Sequence, residues 1–223
     1  MNATDAASFV DKWRARWPEW QVAAAFVPES QRATAVAWFA LLQELGDAAW
    51  RGADPTPGLA KLAWWREELR GWSRGARRHP LGICLQRQTA PWETLGRTLN
   101  ALPATRELGA AATLEALTGL ASAAAACETA LLGGEANADL AAAQADALAR
   151  CLVGERVLLA GQGSEALWLR RHWPRTPRAP RARRIQAALL HARLRALESE
   201  TPTRPLPAWR VLPLAWRAAR GGR

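Results

Sequence analysis

Four polar side chains between positions 32 and 47 are the first place where chemistry could be done. Arg32, Gln43 and Asp47 fall near one face of a helix, because separations of eleven and fifteen residues are close to whole turns at about 3.6 residues per turn. Glu44 lies one turn from Asp47. From Ala33 to Leu42 the same stretch is apolar apart from Thr34, the pattern of a helix buried on every side. Polar groups on such a helix must be paired or must face a wet cavity. The bland alternative is that the helix emerges into water at Gln43.

Other chemistries are poorly served. No Ser-His-Asp or Cys-His arrangement is legible among the three histidines and three cysteines. His79, before Pro80, reads as a capping or packing residue, and His172 as an exposed one. His191 shares a helix face with Arg184 and Arg195, a solvated stripe first and an anion-binding face second. Gly161-Gln162-Gly163 is too short and wrongly placed for a phosphate loop. Cys84, Cys127 and Cys151 are widely spaced in apolar helical patterns and read as buried free thiols of a reducing compartment. No CxxC pair points to zinc, and no metal site is expected.

The elements that must position these residues are all helices, since nothing reads as an alternating strand of useful length. Expected helices cover about 5–16, 29–50 and 58–73. The last places Leu62, Trp65, Leu69 and Trp72 on one apolar face. A short helical piece starts at His79-Pro80, and Pro91 and Pro103 break up the next segment. A long Ala-rich helix over 106–132 stops at Gly133-Gly134. Asn137 caps a helix running to about Ala160. The stretch 161–181 reads as irregular and basic, with Arg175 to Arg181 extended and exposed. Helices over about 182–197 and from Pro207 to Ala219 complete the chain. All of this fits one all-α domain spanning 1–223.

Composition narrows the classes. Hydrophobic residues make up 49% of 223 residues, enough for a core without disulfides. There are 13 Trp, 3 Phe and no Tyr. The start of the chain has no basic stretch followed by an apolar one, so no secretory signal is expected. The stretch 110–132 carries Glu115 and Glu128 and is too polar for a convincing membrane span. A soluble, cytoplasmic protein is expected. The formal net charge of +10 is unevenly spread: residues 150–223 hold 16 Arg and 4 acids, with no Asp after Asp146. Such a region suits peripheral contact with an anionic membrane surface or an acidic protein; nucleic acid is not an expected partner.

Two blocks carry a family resemblance. Phe26-Val27-Pro28-Glu29-Ser30-Gln31-Arg32-Ala33, followed by Trp38-Phe39-Ala40-Leu41, resembles the opening of the squalene/phytoene synthase family. Leu62-Ala63-Trp64-Trp65-Arg66-Glu67-Glu68-Leu69, then Gly75 and His79-Pro80-Leu81, is similar to that family's next conserved helix. Leu212-Pro213-Leu214-Ala215 with Arg217 resembles its last helix more weakly. The resemblance implies a single-domain helical bundle of the isoprenoid synthase type around a central cavity. It adds Arg66 to Arg32, Gln43, Glu44 and Asp47 as candidate diphosphate or polar-pocket residues. The implied reaction condenses two prenyl diphosphates head to head, with Mg²⁺ held between two Asp-rich motifs on facing helices.

The chain departs from that pattern where the metal would bind. At the first motif only Asp47 is left, with Glu44 as a geometric substitute. The second should lie around 152–170, where only Glu155 and Glu165 stand, ten residues apart. Gln43-Glu44-Leu45 followed by Asp47 resembles a branch that lacks the Asp-rich motifs and is similar to an assembly factor of respiratory complex I. The expected function is therefore a non-catalytic protein of this type that binds an isoprenoid lipid, a prenyl diphosphate or a protein partner, with no cofactor. The alternative is an active head-to-head prenyltransferase, which would require Mg²⁺.

Overall fold

The structure, a computed structural model, describes residues 3–133, 137–174, 179–199 and 205–221, and side chains from Ala6 onward. Among these residues the chain is all helical. The elements are α1 (Ala3–Arg16), α2 (Trp20–Ala23), a 3-10 turn (Ala24–Phe26), α3 (Glu29–Trp50) and α4 (Thr56–Trp72). Then come α5 (Gly82–Leu85), α6 (Trp92–Thr98), α7 (Ala101–Ala104), α8 (Ala110–Ala116) and α9 (Thr118–Leu132). The last four are α10 (Ala138–Ala160), α11 (Gly163–Arg171), α12 (Arg181–Glu198) and α13 (Ala208–Arg220).

The central helix is α3, and its bounds match the sequence expectation. Pro28, in extended backbone with no N–H to lose, sits at its N-cap. Every residue from Ala35 to Ala49 is buried. Gln43, Glu44 and Asp47 belong to that run, so the helix does not emerge into water at Gln43. α1, α4, α9 and α10 pack around α3. α4 buries Leu62, Trp65, Leu69 and Trp72, the face that its three-and-four spacing foretold. The close approach of α4 to α3 depends on Gly58, where a Cβ would stand 1.9 Å from the Ala48 carbonyl oxygen.

α10 behaves as read from sequence. The Asn137 side chain accepts the Asp139 amide at 2.9 Å at its start, and Gly161 ends it in the left-handed region (φ 67°). Two other expectations are corrected. The Ala-rich stretch is not one helix from Arg106. It begins at Ala110 and bends at Leu117 between α8 and α9, by 62°. The Thr118 hydroxyl there donates to the Glu115 carbonyl at 2.8 Å, taking an acceptor that helix continuation would use, while the Leu117 side chain is fully buried. The stretch 161–181 is not irregular throughout, because Gly163–Arg171 forms α11, which packs on α12 through Ala166 and Leu169. The extended, exposed run expected for Arg175 to Arg181 lies mostly outside the described residues; Ala179 and Pro180 are buried. Pro103 also lies inside α7 rather than breaking it.

Trp side chains fill the middle. Trp13, Trp17, Trp38, Trp65 and Trp92 are at most 1% exposed. Rings chain through contacts of 5.1–6.2 Å from Trp65 to Trp72, Trp92 and Trp38, and a second group joins Trp13, Trp20 and Phe39 at 5.4–5.5 Å. No single described helix is long and apolar enough to cross a membrane. The bent pair α8 and α9 meets that length and composition only when joined, and α9 is packed against α10, α6 and α3.

Candidate functional site

Glu44 and Asp47 sit in the buried last two turns of α3, between α1 and α4. A carboxylate in that position must be matched or neutralised, because burial disfavours its charge. Both are matched. The Glu44 Oε1 accepts from Lys12 of α1 at 2.5 Å, and its Oε2 from Lys61 of α4 at 2.6 Å. Lys12 and Lys61 are the only two lysines in a chain with 28 arginines, and they converge on this one carboxylate. Burial pushes the Glu44 carboxyl up, but the two ammonium groups outweigh it and hold the group below its ordinary range.

Asp47 is served from the next turn of α1 and from the end of its own helix. Arg16 donates to both its oxygens, at 2.8 and 2.9 Å. Arg51 approaches to 3.1 Å from one turn further along α3, and Lys12 to 3.3 Å. Gln43, between Phe39 and Asp47 on the same stripe, is 2% exposed and neither of its amide atoms has a hydrogen-bond partner among the described residues.

The other two sequence candidates are elsewhere. Arg32 is exposed in the first turn of α3, about 16 Å along the axis from Gln43, and its Nε donates to the Val27 carbonyl at 3.0 Å. Facing the same way on a helix does not bring residues three turns apart into one site. Arg66 is exposed on α4 and lies 3.7 Å from its own neighbour Glu67. Of the five candidates the fold brings together Gln43, Glu44 and Asp47, and it adds Lys12, Arg16, Arg51 and Lys61, which the sequence reading missed. The signal for Lys12 and Arg16 was present: a four-residue spacing on α1, matching the three-residue spacing of the acids. Nothing in the sequence paired α1 with α3.

The two acids within 152–170 lie apart. Glu165 accepts from the Ala110 amide and so caps the start of α8. Glu155 on α10 lies near Asp47. Burial raises its pKa; Arg183 and Arg16 oppose that, and Asp47 adds to it. Arg16, Trp17, Arg51, Glu155 and Arg193 line a pocket of about 220 Å³ here. Arg16 thus serves Asp47 and lies close to Glu155 as well. Deeper in the core, Arg183 donates to Glu128 at 2.6–3.2 Å, Trp38 Nε1 donates to the same carboxylate at 2.7 Å, and the guanidinium lies 4.6 Å over the Phe39 ring. Arg193 likewise binds Glu19 at 2.6 and 2.8 Å and lies 4.2 Å over Trp17.

Mg²⁺ does not fit this donor set. Four carboxylate oxygens are already taken by ammonium and guanidinium groups, and no cluster of three acid, imidazole or thiol side chains exists among the described residues. No family model, no curated protein and no solved structure matches the chain.

Several further titratable groups are built into the packing. His79 packs against Trp65 at 4.3 Å and Phe9 at 4.4 Å, as a packing residue would. Burial lowers its pKa to about 4, although Glu44 and Glu68 pull the other way. Glu68, which the sequence reading passed over, is buried and accepts from Trp72 Nε1 and the Arg78 and His79 amides at 2.6–2.8 Å. Burial pushes the thiols of Cys127 and Cys151 up to about 12. Cys84 is only half-buried, because α5 is a single turn near the surface, so the expectation of three buried thiols holds for two.

Proposed function

We propose that this chain is a non-catalytic helical protein of the squalene/phytoene synthase type, acting as an assembly-type protein that holds a partner. The observation that carries the reading is the occupation of the acidic positions of α3 by Lys12, Lys61, Arg16 and Arg51. In a prenyl synthase, carboxylates at these positions would hold Mg²⁺, and Mg²⁺ would draw off the leaving diphosphate. Here fixed cations neutralise the same carboxylates. They satisfy the charge of the fold and leave no carboxylate oxygens for a metal ion.

Two further features support this reading. The pocket beside Asp47 and Glu155, at about 220 Å³, is below the roughly 300–1,000 Å³ of ordinary ligand sites and far too small for two prenyl chains. The Trp rings occupy the centre that a prenyl chain would need. Retention of an isoprenoid lipid is thus the less favoured form of the non-catalytic reading.

The test is incubation of the purified protein with farnesyl or geranylgeranyl diphosphate and Mg²⁺. No diphosphate release and no condensed hydrocarbon are expected. Turnover that Asp47→Ala abolishes would overturn the reading and restore the head-to-head prenyltransferase. Native mass spectrometry separates the two non-catalytic forms: a co-purifying protein supports assembly, and a co-purifying prenyl lipid replaces it with lipid binding.

A further inference from the structure

α13 has two faces of opposite character. Val211 and Ala215 are buried, and the helix packs against α12, α2 and the 3-10 turn. Its outer stripe carries Trp209, Leu212 and Trp216, exposed to 69%, 46% and 47%. Spacings of three and four residues put these side chains on one line. Half of the exposed large hydrophobic side chains described in the protein are on this one helix. A chain that buries most of its tryptophans leaves two here in the open.

Cations border the stripe along its length. Arg210 lies 4.9 Å over the Trp209 ring and Arg220 4.5 Å over the Trp216 ring. Beside the C-terminal half of α13 a groove of about 740 Å³ is lined by Phe26, Arg181, Trp216, Arg217 and Arg220. Beside its N-terminal half a groove of about 640 Å³ is lined by His191, Arg195, Trp209 and Arg210. Arg181, Arg195, Arg210, Arg217 and Arg220 are all exposed, and none is in an ion pair among the described residues. Residues 205–221 contain no acid.

We propose that the outer face of α13 is a docking surface for an anionic phospholipid bilayer. The apolar stripe enters the boundary between headgroups and acyl chains, with the helix lying flat. The five arginines take lipid phosphates around it. Indole suits that depth because its ring is apolar and its N–H is polar. Charge complementarity selects this occupant: an extended anionic plane meets arginines at both ends of the stripe at once. A protein partner would need acids spaced along that whole length. An amphipathic helix with Trp and Leu on one side and Arg around it is the composition that binds in the interface plane. The proposal goes beyond the non-catalytic reading and does not rest on it, since α13 shares no residue with the Glu44–Asp47 site.

The test is flotation of the full chain with vesicles of phosphatidylcholine alone and of phosphatidylcholine with phosphatidylglycerol. Binding is expected on the anionic vesicles at low salt, weakening as salt is added. Each of Arg210→Gln, Arg217→Gln and Arg220→Gln should weaken it about fivefold. Joint Trp209→Ala and Trp216→Ala should weaken it about tenfold or more. These side chains are exposed, so the variants should keep the wild-type melting temperature, and a lost fold is thereby told apart from a lost surface. Three results would overturn the proposal. One is no flotation with anionic vesicles at low salt. Another is undiminished binding by the double Trp variant. The third is a dimer in sedimentation that the double Trp variant makes monomeric, which assigns the stripe to a second copy. Prenyl diphosphate turnover bears on none of these outcomes, so either proposal can fall alone.

Discussion

The acid pair on α3 and the outer face of α13 treat charge in opposite ways. At Glu44 and Asp47, two buried carboxylates meet four basic side chains, and every carboxylate oxygen has a donor. On α13 and the adjoining α12, five exposed arginines are in no ion pair among the described residues. The buried site has used its charge to hold α1 and α4 onto α3. The surface site has charge left to offer. A position that looks catalytic by residue type can therefore be structural, while a stretch that looks like plain composition can be the part that binds.

Four comparisons of variants and one of pH would break or sharpen that contrast. The largest effect should come from the innermost pair. Arg183→Met leaves Glu128 buried with only Trp38 as a donor and should cost about 3–5 kcal/mol in urea unfolding. A loss under about 1 kcal/mol would mean the inner charges are not structural. Gly58→Ala comes next. Its methyl meets the Ala48 carbonyl oxygen at 1.9 Å, so α4 must shift and carry Lys61 off Glu44; about 3 kcal/mol should be lost. Unchanged stability would show that α4 is free to slide.

Glu44→Gln keeps the shape and removes the charge that Lys12 and Lys61 share. Their half-exposed ammonium groups can turn to water, so the loss should be smaller, about 1–2 kcal/mol. His79 supplies a pH signature for the same neighbourhood, facing Glu44, Glu68 and Lys61. Burial lowers its folded pKa to about 4, against about 6.5 unfolded. The unfolded chain therefore takes up a proton that the folded chain refuses, and stability should fall as pH drops from about 6.5 to about 4. Above about 6.5 this contribution is constant. Thermal melts of His79→Gln should show a shallower slope in that window, and an unchanged slope would assign the effect to other groups. The smallest effect belongs to α13. Arg217→Gln should change stability by no more than about 0.5 kcal/mol, since the exposed side chain is in no ion pair among the described residues.

Much of the helical layout was legible because its signals are local. Pro28, the apolar run from Ala33 to Leu42, the Leu62–Trp72 face and the Asn137 cap act within one or two turns, and the structure agrees with them except that Ala33 is exposed and the run is buried only from Ala35. The misread segments were decided by contacts a local pattern does not contain. Leu117 is pulled into the core and bends the Ala-rich helix, and α11 forms where Ala166 and Leu169 find α12. A shared helix face groups Arg32 with the acids, and a family resemblance adds Arg66. Helix rise separates the first from them, and the packing of α4 turns the second outward.

By itself, the sequence determined that this chain is helical, where α3, α4 and α10 run, and that no Asp follows Asp146. Those properties come from side-chain periodicity and from counting, and neither depends on what lies across the fold. Only the tertiary structure decided that Lys12, Arg16, Arg51 and Lys61 close over Glu44 and Asp47, that Glu165 caps α8, and that Trp209 and Trp216 stay outside. Burial and ion pairing are set by which helices meet, and that is a property of the packed chain rather than of any segment of it.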